Sequence, residues 1–212
     1  MTLITRLKLD MLFNYTRFRY TIFMEKRCFV SIDLPLPVKE YLAAQARPDI
    51  YWIKWIKQGN LHITLNFLGD LNGERITEAQ QVLEGVSAAS HSFTIKLSGP
   101  ELHQDMLWVV PEKNETLIEL QDALKSRLKS ARLGKRERRS FAPHILLGKS
   151  KTGRNMRPVI KHFQPQEFLV DHIHLYESEL TPGTATHRLI QSFPLTPAVS
   201  PPHEGGMERG SG

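Results

Sequence analysis

Two stretches of the chain place histidines in matching surroundings: N-L-H-I-T-L-N-F-L-G at 60–69 and A-P-H-I-L-L-G-K at 142–149. Each opens an apolar run with His-Ile, and His144 follows His62 by 82 positions. Side chains at i and i+2 of an extended strand share a face. His62 and Thr64 therefore project together, and so do His144 and Leu146. If the two strands face one cleft, the imidazoles meet there. Imidazole titrates near pH ~6.5, so a pair can hold one ring neutral and the other protonated close to neutrality. Hydrolysis of a phosphodiester asks for that combination: a base to take a proton from water and an acid to protonate the departing alkoxide. The Thr64 hydroxyl can hydrogen-bond a nonbridging phosphate oxygen. A single histidine on such a strand also reads as a hydrogen-bonded core residue; the repeated His-Ile favours the paired reading.

The elements that must position these residues follow from alternation and chain breakers. Strands are expected at 27–33, 52–56, 61–69, 93–97, 106–110, 144–148, 168–176 and 187–193. Helices are expected at 38–46, 73–87 and 115–133. The second carries Ile76, Ala79, Val82, Leu83 and Val86 at helical spacing, and the third stops at Gly134. Pro35 and Pro37 end the first strand, Ser98-Gly99-Pro100 separates the strands at 93–97 and 106–110, and Thr181-Pro182-Gly183 joins the last two. This order implies an α+β fold with helices on one side of largely antiparallel sheets. Residues 1–23 read as an N-terminal extension, 24–196 as the folded domain, and the Pro-, Gly- and Ser-rich segment 197–212 as a disordered tail.

Composition narrows the class. With 212 residues, 41% of them hydrophobic, the chain can bury a substantial core. A formal net charge of +6 favours polyanionic partners such as nucleic acid. The lone cysteine, Cys28, allows no internal disulfide and reads as a buried thiol in a reducing, cytoplasmic compartment. No run approaches the ~20 apolar residues of a membrane span. No GxxxxGK[ST] loop is present, which argues against an ATP-dependent enzyme.

The motifs also resemble a known family, the two-histidine (2H) phosphoesterases, and within it the LigT/ThpR-like RNA 2′,3′-cyclic phosphodiesterases. The resemblance runs from CFVSIDLP at residue 28 through NLHITLNFLGDL, the LWVV strand at 107–110, RSFAPHILLGK and FLVDHIHLYESEL to HRLIQSFPL near 195. It implies a bilobal α+β fold, with a pseudo-twofold axis between two His-x-Thr motifs and His62, Thr64 and His144 lining a central cleft. The implied substrate is an RNA 3′ end or nucleotide carrying a 2′,3′-cyclic phosphate, opened by water to a 2′-phosphate without metal or other cofactor. In that scheme His144 is the base and His62 the acid, although the roles can be exchanged. Thr64 and Lys149 meet the developing charge. The second motif departs from the pattern: Leu146 stands where the family has Thr, so one phosphate-binding hydroxyl is missing. Two alternatives stay open, a noncatalytic RNA-end or nucleotide-binding protein and a ligase joining cyclic phosphate and 5′-hydroxyl ends.

Other features are weighed beside this scheme. Arg139 and Phe141 border the second motif and are expected at the rim, Phe141 stacking on a base. Trp52 and Trp55 read as core residues first and as rings that stack on terminal bases second. The basic stretch 125–139, with Glu137 as its only acid, reads either as a solvated helix face or as a funnel for an RNA backbone. His172-x-His174 resembles a metal-binding pair but lacks companion ligands, so no metal site is expected. His187, His91, His103, His162 and His203 receive no role. A monomer without membrane contact is expected.

Overall fold

The computed structural model describes residues 25–134, 140–153, 162–181 and 184–198. Most of the expected extension (1–23) and tail (197–212), together with Arg139, lies outside these residues. Pro197 and Ala198 are described: Ala198 N donates to Ser92 Oγ at 3.0 Å.

Among the described residues nine strands form one sheet. They are β1 (Lys26–Asp33), β2 (Ile53–Trp55), β3 (His62–Leu71), β4 (Phe93–His103), β5 (Met106–Pro111), β6 (Ile145–Ser150), β7 (Gln166–Val170), β8 (His172–Thr181) and β9 (Thr184–Pro194). Three helices, α1 (Leu36–Ala44), α2 (Gly73–Ala88) and α3 (Glu115–Ser130), complete the architecture, with a 3₁₀ turn at Gln58–Asn60 before β3. The strand order is β7-β4-β5-β6-β3-β1-β8-β9, with β2 added beside β6, and every strand pairing is antiparallel. The expected α+β fold is present, and its two halves are visible in the strand order. On one side of the centre lie β6, β5, β4 and β7; on the other lie β3, β1, β8 and β9. Each histidine strand pairs with the strand that precedes the helix before it: β3 with β1, α1 and β2 lying between them in the chain, and β6 with β5, α3 lying between them. Among the described residues no helix is long and apolar enough to cross a membrane.

Burial explains why these residues make these elements. Cys28 to Ile32 of β1 are buried in succession, as a central strand covered on both faces requires. Strand β3 instead begins in alternation: Ile63 and Leu65 are buried in the core, while His62 and Thr64 are partly open on the other face. Helix α2 buries Ala79, Leu83 and Val86, and α3 buries Leu117, Leu120, Leu124 and Leu128, each from one stripe. Both start on an asparagine cap. The Asn72 side chain accepts from Arg75 N and that of Asn114 from Leu117 N, each at 2.9 Å.

Three expectations are corrected. Ser98-Gly99-Pro100 does not end a strand: β4 runs through it with a register shift between Leu97 and Gly99, so the turn signal marks a bulge. The single strand expected over 168–176 is two, divided at Asp171, because β7 pairs with β4 in one half while β8 pairs with β1 in the other. Helix α3 ends at Ser130, with Arg132 at φ 54° and Gly134 at φ 85° following it.

Candidate active site

The histidine strands meet at the centre of the sheet through one residue pair, Ile63 opposite Ile145. Both isoleucines are fully buried. Their neighbours in sequence therefore face the other way, into a cavity of about 470 Å³ whose wall includes His62, Thr64, His144 and Leu146. Continued from the isoleucine pair, the antiparallel register sets Thr64 across from His144 and His62 across from Leu146.

Both imidazoles are anchored alike. His62 Nδ1 donates to the carbonyl of Asn60 at 2.7 Å, and His144 Nδ1 donates to the carbonyl of Ala142 at 2.8 Å. A carbonyl can only accept, so each neutral ring carries its proton on Nδ1 and its lone pair on Nε2. His62 Nε2 accepts from Thr64 Oγ1 at 2.9 Å. The flat contacts differ. His62 lies against Phe29, ring centroids 4.9 Å apart. His144 stacks on Trp108 at 3.7 Å with planes 14° apart, and His103 stacks on the same indole at 4.2 Å. Burial is the main reason that the His62 pKa is pushed down to about 4, against the hydrogen bond to Asn60 that raises it; nearby His187 adds to the lowering. Burial also lowers the His144 pKa, with a smaller contribution from His103.

The remaining wall is basic and apolar. Arg27, Lys54 and Lys57 contribute to it, as do Phe29, Trp55 and Phe67, and no carboxylate is among the described residues that line it. Trp55 reaches the cleft because Gly148 opposite has no side chain: a Cβ there would meet Ile53 Cγ2 at 2.9 Å and Trp55 Cε3 at 3.2 Å. The indole Nε1 donates to Arg47 O at 3.0 Å. Cys28 borders the cavity, but its thiol is pushed up to about 11, by burial first and Glu177 second, so it is a poor nucleophile.

Of the residues singled out in the sequence, His62, Thr64 and His144 come together. Lys149 does not join them. It is not among the residues that line the cavity, and its ammonium is 3.4 Å from Asp105 Oδ2. Phe141 is half-buried and packs against the core instead of standing at the rim. One residue given no part, His187, and one read mainly as core, Trp55, take a place in the geometry. His187 lines the cavity 5.3 Å from His62, ring centroid to ring centroid, and Trp55 lines it opposite Gly148. His103 also acquires a partner, the Trp108 ring. The His172 and His174 side chains turn to Asp171 Oδ1 and Ser192 Oγ, each at 2.9 Å. Among the described residues no group of three His, Cys, Asp or Glu side chains is arranged to hold a metal ion.

Comparison with known proteins agrees with the motif resemblance. The family model of the 2′-5′ RNA ligase superfamily matches residues 39–182. A protein of Methanocaldococcus jannaschii named RNA 2′,3′-cyclic phosphodiesterase is 27% identical over 176 residues, covering 79% of this chain and 99% of the relative. One of the same name from Escherichia coli is 30% identical over 129 residues, covering 58% of this chain and 70% of the relative. The crystal structure of E. coli LigT complexed with 3′-AMP shares the fold with a TM-score of 0.67 at 22% identity, over 81% of this chain and 99% of that one.

Proposed function

Since the chain belongs to the 2′-5′ RNA ligase superfamily, we propose that its cleft hydrolyses terminal 2′,3′-cyclic phosphates of RNA to 2′-phosphomonoesters. The observation that carries this reading is the pair of imidazoles. Both are anchored through Nδ1, both carry a lone pair on Nε2, and they share one cavity whose described wall has basic residues and no carboxylate. Relatives named for this activity support it.

The chemistry then follows from the two environments. His144 is the base. Its ring is neutral in the free protein and takes a proton from the water that attacks phosphorus. His62 is the acid. Partly buried, it is neutral until substrate enters; the phosphate's negative charge then raises its pKa, and the proton passes to O3′ as the P–O3′ bond breaks. Thr64 Oγ1 and Arg27 stabilise the charge that grows on the nonbridging oxygens. Leu146 cannot contribute a hydroxyl, and a hydrogen bond to a charged oxygen is worth about 1.5–3 kcal/mol. That omission slows the reaction without abolishing it.

Incubation with 2′,3′-cyclic AMP in EDTA, with 2′- and 3′-monophosphates resolved, tests the proposal. The expected product is 2′-AMP, with turnover undiminished by the chelator. Leu146 is also what favours a second reading, a binder of RNA ends that has lost turnover. Tight binding of 2′-AMP by a protein that opens no cyclic phosphate decides for that alternative.

A further inference from the structure

The proposed mechanism uses two of the three imidazoles in the cleft. The third, His187, belongs to β9, which is separated from β3 by β1 and β8. On a flat sheet, three spacings of about 4.8 Å would hold these strands roughly 14 Å apart. The His187 ring instead stands perpendicular to that of His62, with centroids 5.3 Å apart, and 4.9 Å from that of Phe29. The sheet is therefore curled, and Asn60 clips the curl. Its Nδ2 donates to Ala185 O at 2.7 Å, two residues before His187, while its own carbonyl accepts from His62 Nδ1. One asparagine thus anchors the His62 ring and the backbone of β9 two residues before His187.

His187 Nδ1 is buried and has no hydrogen-bond partner among the described residues. Buried polar atoms are normally satisfied; Nδ1 has too little open surface for a ligand to reach, so a ligand meets this ring through the edge that lines the cavity. His62 from β3 and Phe29 from β1 stand against its ring, and the other titratable groups that share its cavity are Arg27 and Cys28 from β1, Lys54 from β2, Lys57 ahead of the 3₁₀ turn and His144 before β6. None is acidic, so the ligand that suits the site is an anion.

We infer that His187 is a phosphate-binding residue that supplies the contact missing at Leu146. This rests on the phosphodiesterase reading and extends it. Leu146 lies across from His62, so the missing hydroxyl falls on the His62 side of the cleft, the side on which His187 stands. Burial lowers the His187 pKa and keeps the ring neutral in the free protein. A phosphate entering a cavity whose described wall carries no carboxylate draws a proton onto it. The imidazolium then donates a charge-assisted hydrogen bond to a nonbridging oxygen, a stronger contact than a threonine hydroxyl makes.

His187→Gln, Leu146→Thr and the double variant test this, with kcat and KM for 2′,3′-cyclic AMP, the Kd of 2′-AMP, and the His187 titration followed by NMR in the unsubstituted protein with and without 2′-AMP. His187→Gln is expected to raise KM and Kd by roughly tenfold or more. Adding Leu146→Thr is expected to recover most of that loss, and to help the double variant more than it helps the parent. The NMR titration of His187 is expected to move up by a unit or more when 2′-AMP binds. Binding within twofold of the parent for His187→Gln, no recovery in the double variant, or a His187 titration indifferent to 2′-AMP would each overturn the inference. Should the parent open no cyclic phosphate, the phosphodiesterase reading falls, while the NMR titration still decides the role of His187. It does so even if the variants do not fold.

Discussion

His62 and His144 differ in surroundings more than in anchoring, and the difference has a kinetic signature. The base must be neutral, and burial lowers the His144 pKa, so the acid limb of kcat/KM is expected below the ordinary imidazole value of about 6.5. A pH–rate profile locates it; a limb above that value contradicts the assignment. Trp108→Leu removes the face on which His144 stacks and frees the ring to rotate. A fall in kcat of about tenfold with a smaller change in KM is expected, since a misplaced catalytic group costs rate more than binding. At this scale the sequence was legible where chemistry and periodicity coincide. His62 and Thr64 followed from spacing two apart, and His144 from the repeated His-Ile. Lys149 was expected to meet phosphate charge and Phe141 to stack on a base because they border a motif, but closeness in sequence does not place a side chain in the cleft: the Lys149 ammonium turns to Asp105 and Phe141 packs against the core. His187 gave no local signal, because its approach to His62 depends on a curl joining residues 125 positions apart.

The cleft depends on how two strands touch. Strands β3 and β6 share the single pair Ile63–Ile145, so Ile145→Ala removes packing at the hinge between the halves. Large-to-small changes of this kind cost about 2–5 kcal/mol. Denaturant unfolding is expected to show that loss, with kcat/KM falling further than the folded fraction accounts for. Activity that tracks the folded fraction alone would show that the pair does not position the imidazoles. Gly148→Ala drives a methyl into Ile53 and the Trp55 ring, with an overpacking cost of about 1–3 kcal/mol and a displaced cleft wall. Thermal unfolding and KM should both report it. Most strands and all three helices could be read from alternation, helical spacing and breakers. The division at Asp171 could not, because β7 and β8 each alternate regularly and differ only in which half of the sheet they join.

For the molecule as a whole, burying neutral imidazoles ties stability to pH. The folded His62 pKa is near 4, below its unfolded value of about 6.5, so the unfolded chain binds the proton more readily in between. The contribution is fully present above pH 6.5 and is lost as pH falls toward 4. For a partly accessible ring it amounts to about 2–3 kcal/mol. His144 and His187, also lowered, act in the same direction. Urea midpoints between pH 7.5 and 4 should fall accordingly, and His62→Gln should flatten the slope. An unchanged slope in that variant would mean that the ring is not buried neutral. The account as a whole rests on two imidazoles acting on one phosphorus. The direct measurement is single-turnover opening of 2′,3′-cyclic AMP by the parent, His62→Ala and His144→Ala. The predicted result is 2′-AMP from the parent and a loss of about 10²–10⁴-fold in each variant, since each removes one of the two proton transfers. Turnover by either variant at the parent's rate, or 3′-AMP as the parent's product, would contradict it.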